Sequence, residues 1–273
     1  MKFAICQEVF EDWDWIRQCR FIAETGYQGI EVAPFTLAAR VTELSTERRR
    51  TLRQQAADHG LQIIGLHWLL AKTTGLHLTS GDPAVRRATA AYLIELGQAC
   101  ADLGGNILVF GSPAQRNLEP GTSRTEGLHR AAEVLRACLP RLTEQGVKLC
   151  LEPLTPKETN FLNSCAEAIE LIDRVGSPNL LLHQDVKAML TESTPIPELI
   201  ARYANRVGHF HANDSNLLGP GMGETDFAPI FAALLAANYG GWVSVEVFDY
   251  SPGCEKIVRD SLANMRAALA RQR

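Results

Sequence analysis

Residues 143–152 read T-E-Q-G-V-K-L-C-L-E: the polar end of a helix, a glycine turn, an apolar run, and a glutamate closing it. The same grammar stands in A-E-T-G-Y-Q-G-I-E-V at 23–32 and in A-A-N-Y-G-G-W-V-S-V-E-V at 236–247. Glycine after a helix reaches the left-handed dihedrals that end it, so the glycines report turns and nothing more. The apolar runs say more. Segments such as N-I-L-V-F and K-L-C-L suit strands covered on both faces, the condition of a parallel sheet with helical crossovers.

Eight such runs follow one another along the chain: Phe3–Cys6, Gly29–Val32, Gln62–Leu66, Asn106–Phe110, Lys148–Glu152, Leu180–Gln184, Val207–His211 and Trp242–Glu246. Amphipathic helical stretches separate them. One helix is predicted from Ser45 to a stop at His59-Gly60, and another from Asp82-Pro83, a cap followed by proline at the first helical position, to Gly104-Gly105. Eight βα units without a composition break or a linker predict a single domain over 1–273, α/β in class, closed as a (β/α)8 TIM barrel. The alternative, an open doubly wound sheet, usually carries a glycine-rich phosphate loop after its first strand. C-Q-E-V-F-E-D offers no such loop.

Composition narrows the function. The 273 residues hold 27 Lys+Arg against 31 Asp+Glu, a net charge of −4, so no basic field exists for a phosphate backbone and nucleic acid is not an expected partner. No apolar run reaches the roughly 18 residues of a membrane span, and M-K-F-A-I-C-Q-E-V-F lacks the basic start of a secretory leader. A cytoplasmic protein without a membrane partner is expected. The seven cysteines are odd in number and form no C-x-x-C pair, which argues against a disulfide framework and a thiolate zinc site. Cys6 and Cys150 read as small buried hydrophobes.

In such a barrel the active site is built at the carboxyl ends of the strands. The fifth run ends in Glu152, the sixth in His183-Gln184-Asp185, the seventh in His209-Phe210-His211 and the eighth in Glu246. Any one of these carboxylates alone reads as a helix cap or an arginine partner. Four donors around one mouth would set like charges against each other without a cation. Glu152, Asp185, His211 and Glu246 therefore predict one divalent metal site, a hard set suited to Mn²⁺ first, then Mg²⁺ or Co²⁺. His209, two residues before His211, faces inward by the period of a strand and is expected in the layer beneath the metal. Asn213 and Asp214 are expected to orient the loop that follows His211, and G-P-G-M-G-E-T-D-F at 219–227 reads as a mouth loop.

The motifs L-E-P at 151–153, H-Q-D at 183–185, H-F-H-A-N-D at 209–214 and V-E-V-F at 245–248 resemble the sugar isomerase/epimerase group of xylose-isomerase-like barrels. That group includes ketose 3-epimerases, hydroxypyruvate isomerase and inosose dehydratase. The resemblance implies a sugar or keto-sugar substrate, the metal set above, and Glu152 and Glu246 as acid and base on opposite faces of the sugar carbon. Proton removal beside a carbonyl creates an enediolate whose charge a divalent ion stabilises. It also implies a homodimer or homotetramer. Among further mouth residues, His67 is expected to bind a hydroxyl, Trp68 to cover a sugar face, and Glu31 to bond a hydroxyl or fix a loop.

Departures from the pattern bear on the substrate. The histidine that follows the metal aspartate by three positions in ketose 3-epimerases is Ala188 here, and the arginine six positions after the metal histidine is Leu217. The carboxylate six positions after the first metal glutamate is kept as Glu158, and Lys187 is the expected replacement in the altered clamp. A lyase or dehydratase on the same core is the second reading, since the same proton abstraction starts elimination of water. A nuclease resembling endonuclease IV is a remote third: V-F-G-S-P after the fourth run has no histidine, and no Asp-X-His follows residue 214.

Overall fold

A computed structural model describes residues 1–272; Arg273, the last residue of the expected domain, lies outside the described residues. Eight parallel strands close a barrel in chain order: β1 (Lys2–Cys6), β2 (Gly29–Val32), β3 (Gln62–Leu66), β4 (Ile107–Phe110), β5 (Lys148–Leu151), β6 (Leu180–Asp185), β7 (Val207–Ala212) and β8 (Trp242–Val245). β1 closes the ring against β8, with Ala4 opposite Ser244 and Ile5 opposite Val245. Around it run α1 (Trp15–Thr25), α2 (Thr46–Asp58), α3 (Pro83–Leu103), α4 (Arg124–Glu144), α5 (Cys165–Val175), the short α6 (Val186–Met189), α7 (Ile196–Tyr203), α8 (Phe227–Ala236) and α9 (Cys254–Ala270).

The helix signals in the sequence act as caps. Ser45 Oγ accepts from the Arg48 amide at the start of α2. Asp82 accepts from the Ala84 amide at the start of α3, and Gly104 ends that helix at φ +90°. Both side chains satisfy amides that a helix leaves unpaired in its first turn.

Two apolar regions hold the barrel. The larger lies between sheet and helices and takes the outward residues, among them Leu149, Leu151, Leu182, Phe210, Val243 and Val245. The smaller is a plug inside the barrel, made by Ala4, Ile64, Ile107, Val109, Cys150 and Trp242. Period two then carries each inward column upward from the plug. Cys150 leads to Glu152, Leu181 to His183 and Asp185, and Trp242 to Ser244 and Glu246. The apolar floor and the polar mouth are thus successive layers of the same strands. All seven cysteines are free, and all but Cys254 are buried.

Strand ends differ from expectation by single residues. β5 and β8 stop at Leu151 and Val245, so Glu152 and Glu246 stand just past the ladder. Their amides are still held, Glu152 N by Phe110 O at 3.1 Å and Glu246 N by Ala212 O at 3.2 Å. β6 and β7 run longer than expected and pair Asp185 with His211. The ladders shift register where Leu182–Val207 is followed by His183–His209 and Ile30–Ile63 by Glu31–Gly65, so the extra residues are Gly208 on β7 and Ile64 on β3. An extra residue bends its own strand, and the polar residues beside the two shifts, His183, His209 and Glu31, are all buried.

Candidate metal centre and active site

At the carboxyl ends of β5, β6 and β7, ligand atoms of Glu152, His183, Asp185 and His211 lie within 4.8 Å of one another. Glu246 joins from β8, its Oε2 3.1 Å from His211 Nδ1. Three of the four expected ligands therefore cluster directly and the fourth touches one of them. His183 was not among the expected ligands. The alternation of H-Q-D, which puts positions 183 and 185 on one face, is the signal that could have found it. Both its ring nitrogens are buried without a hydrogen-bond partner.

The donor set suits a divalent cation. Burial, with Glu246 and Asp185 alongside, pushes the Glu152 carboxyl well above the usual carboxylate range. Burial pushes Asp185 up as well. Glu246 goes the other way: against its burial, the neighbouring His211 holds it down at about 2. His183 is kept neutral by burial beside His211 and His209. Buried carboxylates that cannot all ionise together, beside an imidazole with both nitrogens free, are the groups a hard cation brings into register. Gly111 on the β4 side leaves the room this needs, since a Cβ there would fall 1.8 Å from Glu152 Oε2.

Neighbouring groups hold the donors in place. Asn213 Nδ2 donates to Asp185 Oδ2 at 2.6 Å, while the Ala188 amide donates to Asp185 Oδ1 at 2.8 Å, so the aspartate also caps α6. Asn213 Oδ1 in turn accepts from the Lys187 amide at 2.8 Å. His211 is gripped from below, its Nε2 lying 3.2 Å from each carboxylate oxygen of Glu31. Glu31 also meets His209 Nε2 at 2.8 Å. Glu31 was expected at the mouth. It stands instead one layer beneath, fully buried and engaged by two imidazoles, because it lies two residues beyond the inward-facing Gly29, level with Cys6, and β2 continues past it to Val32. His209 lies in that same lower layer, on Glu31.

Above the donors is a chamber of about 70 Å³, walled by His67, Trp68, Ser112, Glu152, Glu158, Lys187, Glu246 and Phe248 among others. Trp68 Nε1 donates to Glu246 Oε1 at 2.8 Å. His67 Nε2 is 2.9 Å from Glu8 Oε2, so this imidazole is oriented by a carboxylate the sequence reading did not single out. Lys187 Nζ donates to Glu158 Oε1 at 2.7 Å and lies 3.7 Å above the Phe248 ring. Burial works against its charge, but Asp185 and Glu158 outweigh it and raise the ammonium's pKa. Thr155 fixes Glu158 through its amide and hydroxyl, at 3.0 and 2.8 Å.

Arg116 was also unforeseen. It is completely buried, and its guanidinium donates to Glu152 O at 2.6 Å and Phe110 O at 2.7 Å, tying the ends of β4 and β5 together. Burial brings its pKa down to about 10, so it stays charged at neutral pH beside the Glu152 carboxylate.

A family model described as xylose isomerase-like TIM barrel matches residues 19–268. The chain belongs to this family. As a xylose isomerase-like barrel it has isomerases among its relatives. D-psicose 3-epimerase of Enterocloster bolteae is 29% identical over 257 residues, covering 91% of this chain and 82% of that one. Hydroxypyruvate isomerase of Escherichia coli K12 is 25% identical over 242 residues, covering 87% and 89%. A crystal structure of a D-psicose 3-epimerase in the presence of D-fructose superposes with a TM-score of 0.86 at 24% identity, covering 98% of this chain and 99% of that one, a likeness of fold. The chain is an enzyme of the isomerase class. No helix among the described residues is long and apolar enough to cross a membrane.

Proposed function

We propose that the protein is a divalent-metal-dependent sugar isomerase or epimerase that moves a proton at the carbon next to a carbonyl. The observation that carries this is the presence of two buried carboxylates, Glu152 and Glu246, on the wall of one chamber whose floor is a cluster of metal-donor groups. Relatives named for epimerisation of ketoses support the substrate class.

Glu152, Asp185, His211 and Glu246 would hold the ion, with His183 beside them. When bound, a divalent ion supplies positive charge next to the substrate's carbonyl oxygen, where negative charge grows as the proton leaves. We assign Mn²⁺ first, with Mg²⁺ and Co²⁺ as substitutes, because the donors are mainly oxygen. Proton transfer falls to Glu152 and Glu246. One carboxylate takes the proton from carbon and the other returns one on the opposite face, which inverts the centre. Return to the adjacent carbon by a single carboxylate gives isomerisation instead. Lys187, cationic and fixed by Glu158, is placed to bind a substrate oxygen in the altered clamp, and His67 and Trp68 to meet hydroxyls and a sugar face. Free cysteines suit a reducing compartment, and we place the enzyme in the cytoplasm.

The experiment is exchange of solvent deuterium into carbon-bound positions of keto-sugars, run with Mn²⁺ and alongside a measurement of bound metal. Glu152→Gln and Glu246→Gln should each abolish exchange. Retained exchange in both variants would overturn the assignment, and loss of water from the substrate would move the reading to a dehydratase.

A further inference from the structure

Lys187 walls the chamber on one side and faces a second space on the other. On the far side of Glu158, Lys187 and Phe248 the same three residues line a groove of about 700 Å³, whose outer walls include Pro156, Leu190 and Leu217. The chamber alone, about 70 Å³, falls well short of the roughly 300–1,000 Å³ of sites that enclose a small ligand. Chamber and groove together reach that range.

The groove wall is apolar and deliberately held. Leu190 and Leu217 are 44% and 42% exposed, two of only four large apolar side chains so exposed among the described residues. Leu217 also adopts φ +69°, a left-handed conformation costly for a branched residue. Its carbonyl accepts from the Phe248 amide at 2.8 Å and from the Asp249 amide at 3.2 Å, which locks this leucine against the residue that walls the chamber. The groove holds no built phosphate site: no arginine lines it, Lys187 is already paired with Glu158, and its other cation, Lys157, is exposed.

We propose that the substrate is a keto-sugar carrying an apolar aryl or alkyl substituent in ether or glycosidic linkage. The sugar occupies the chamber and the substituent lies in the groove against Leu190 and Leu217. This rests on the sugar isomerase reading and narrows it. Groove and chamber adjoin across three shared residues, so a substituent that leaves the chamber on that side meets the groove, and the exposed leucines give it an apolar surface to cover.

The test is calorimetric titration of the full chain with Mn²⁺ present, using two matched pairs: phenyl and methyl 3-keto-β-D-glucoside, and 1-O-benzyl and 1-O-methyl D-fructose. In at least one pair the aromatic member should bind about tenfold tighter. Leu190→Asn and Leu217→Asn, both at exposed positions, should shrink that ratio to about twofold. Equal affinities within both pairs would overturn the proposal, as would a ratio that both variants leave intact. It also fails if sedimentation shows that the variants split an oligomer whose contact covers the groove. Deuterium exchange on the same compounds reports separately on the isomerase reading, so loss of exchange with a preserved binding ratio would sink that reading and not this one.

Discussion

Trp68 and Glu246, 178 positions apart in sequence, are joined by an indole N–H that donates to a carboxylate oxygen at 2.8 Å. With its other oxygen 3.1 Å from His211 Nδ1, Glu246 has both oxygens held before any substrate arrives. The tryptophan does so from φ +52°, in the left-handed region, a backbone cost that the surrounding loop must sustain.

Trp68 is accordingly a positioning residue, and Trp68→Phe separates its two roles. Phenylalanine keeps an aromatic face between Phe35 and Phe248, whose ring centroids lie 6.1 and 6.4 Å from the indole. It removes only the donor. A hydrogen bond to a charged acceptor is worth about 1.5–3 kcal/mol, so the exchange rate should fall roughly 10- to 100-fold in kcat with KM little changed. Steady-state kinetics of deuterium exchange checks this. An unchanged kcat would mean that Glu246 is placed by His211 alone.

The fold was legible because its signals are local. Strand runs, caps at Ser45 and Asp82, and the glycine stop at Gly104 each act within a few residues of themselves, and barrel closure follows from their number and order. The proposed metal donors stand out for the same reason: Glu152, Asp185, His211 and Glu246 break the apolar grammar where each strand ends. Two other kinds of residue were harder to read. Glu31 looks like those strand-end carboxylates, but it pairs with Cys6 inside β2, short of the strand's end, and so sits beneath the mouth. Arg116, in a polar loop, reads as a surface arginine, since nothing nearby announces the two carbonyls it reaches. Pairings such as Trp68 with Glu246 or Lys187 with Glu158 exist only once the barrel closes.

Arg116 supplies a stability prediction. Its guanidinium spans two backbone carbonyls, at Phe110 and Glu152, and no shorter or single-headed cation can reach both. Arg116→Met keeps volume, takes this donor from Glu152 O and leaves Phe110 O only the Glu152 amide, a loss of about 1–3 kcal/mol. For a chain of this size that lowers the melting temperature by roughly 2–12 °C. Arg116→Lys should recover part of the loss through one carbonyl. Thermal unfolding followed by circular dichroism measures both, and a wild-type melting temperature in Arg116→Met would refute the role given to the fork.

The loop after β7 supplies a prediction in pH. One oxygen of Asp214, Oδ2, accepts from the amides of Gly221 and Gly223, both at 3.0 Å. Its other oxygen, Oδ1, accepts from those of Ser215 at 2.7 Å and Thr225 at 3.1 Å. Against its burial, these N–H donors hold the carboxyl below the usual aspartate range. The sign follows from linkage: a group whose folded pKa is depressed stabilises fully above its unfolded value, about 3.9, and that stabilisation is lost as pH falls through the lower folded value. Hydrogen exchange should therefore show the amides of Gly221, Gly223 and Thr225 protected at neutral pH and progressively opened below about pH 4. Asp214→Asn keeps the shape but replaces a carboxylate by an amide with a single acceptor oxygen. It should cost about 2 kcal/mol and give a loop already open at neutral pH, with no further acid transition at these amides. Because the same loop carries Leu217 and its carbonyl grip on Phe248, opening should also loosen the wall beside Lys187. Protection that is identical in wild type and Asp214→Asn across this range would show that the loop is held by its own packing and not by the aspartate.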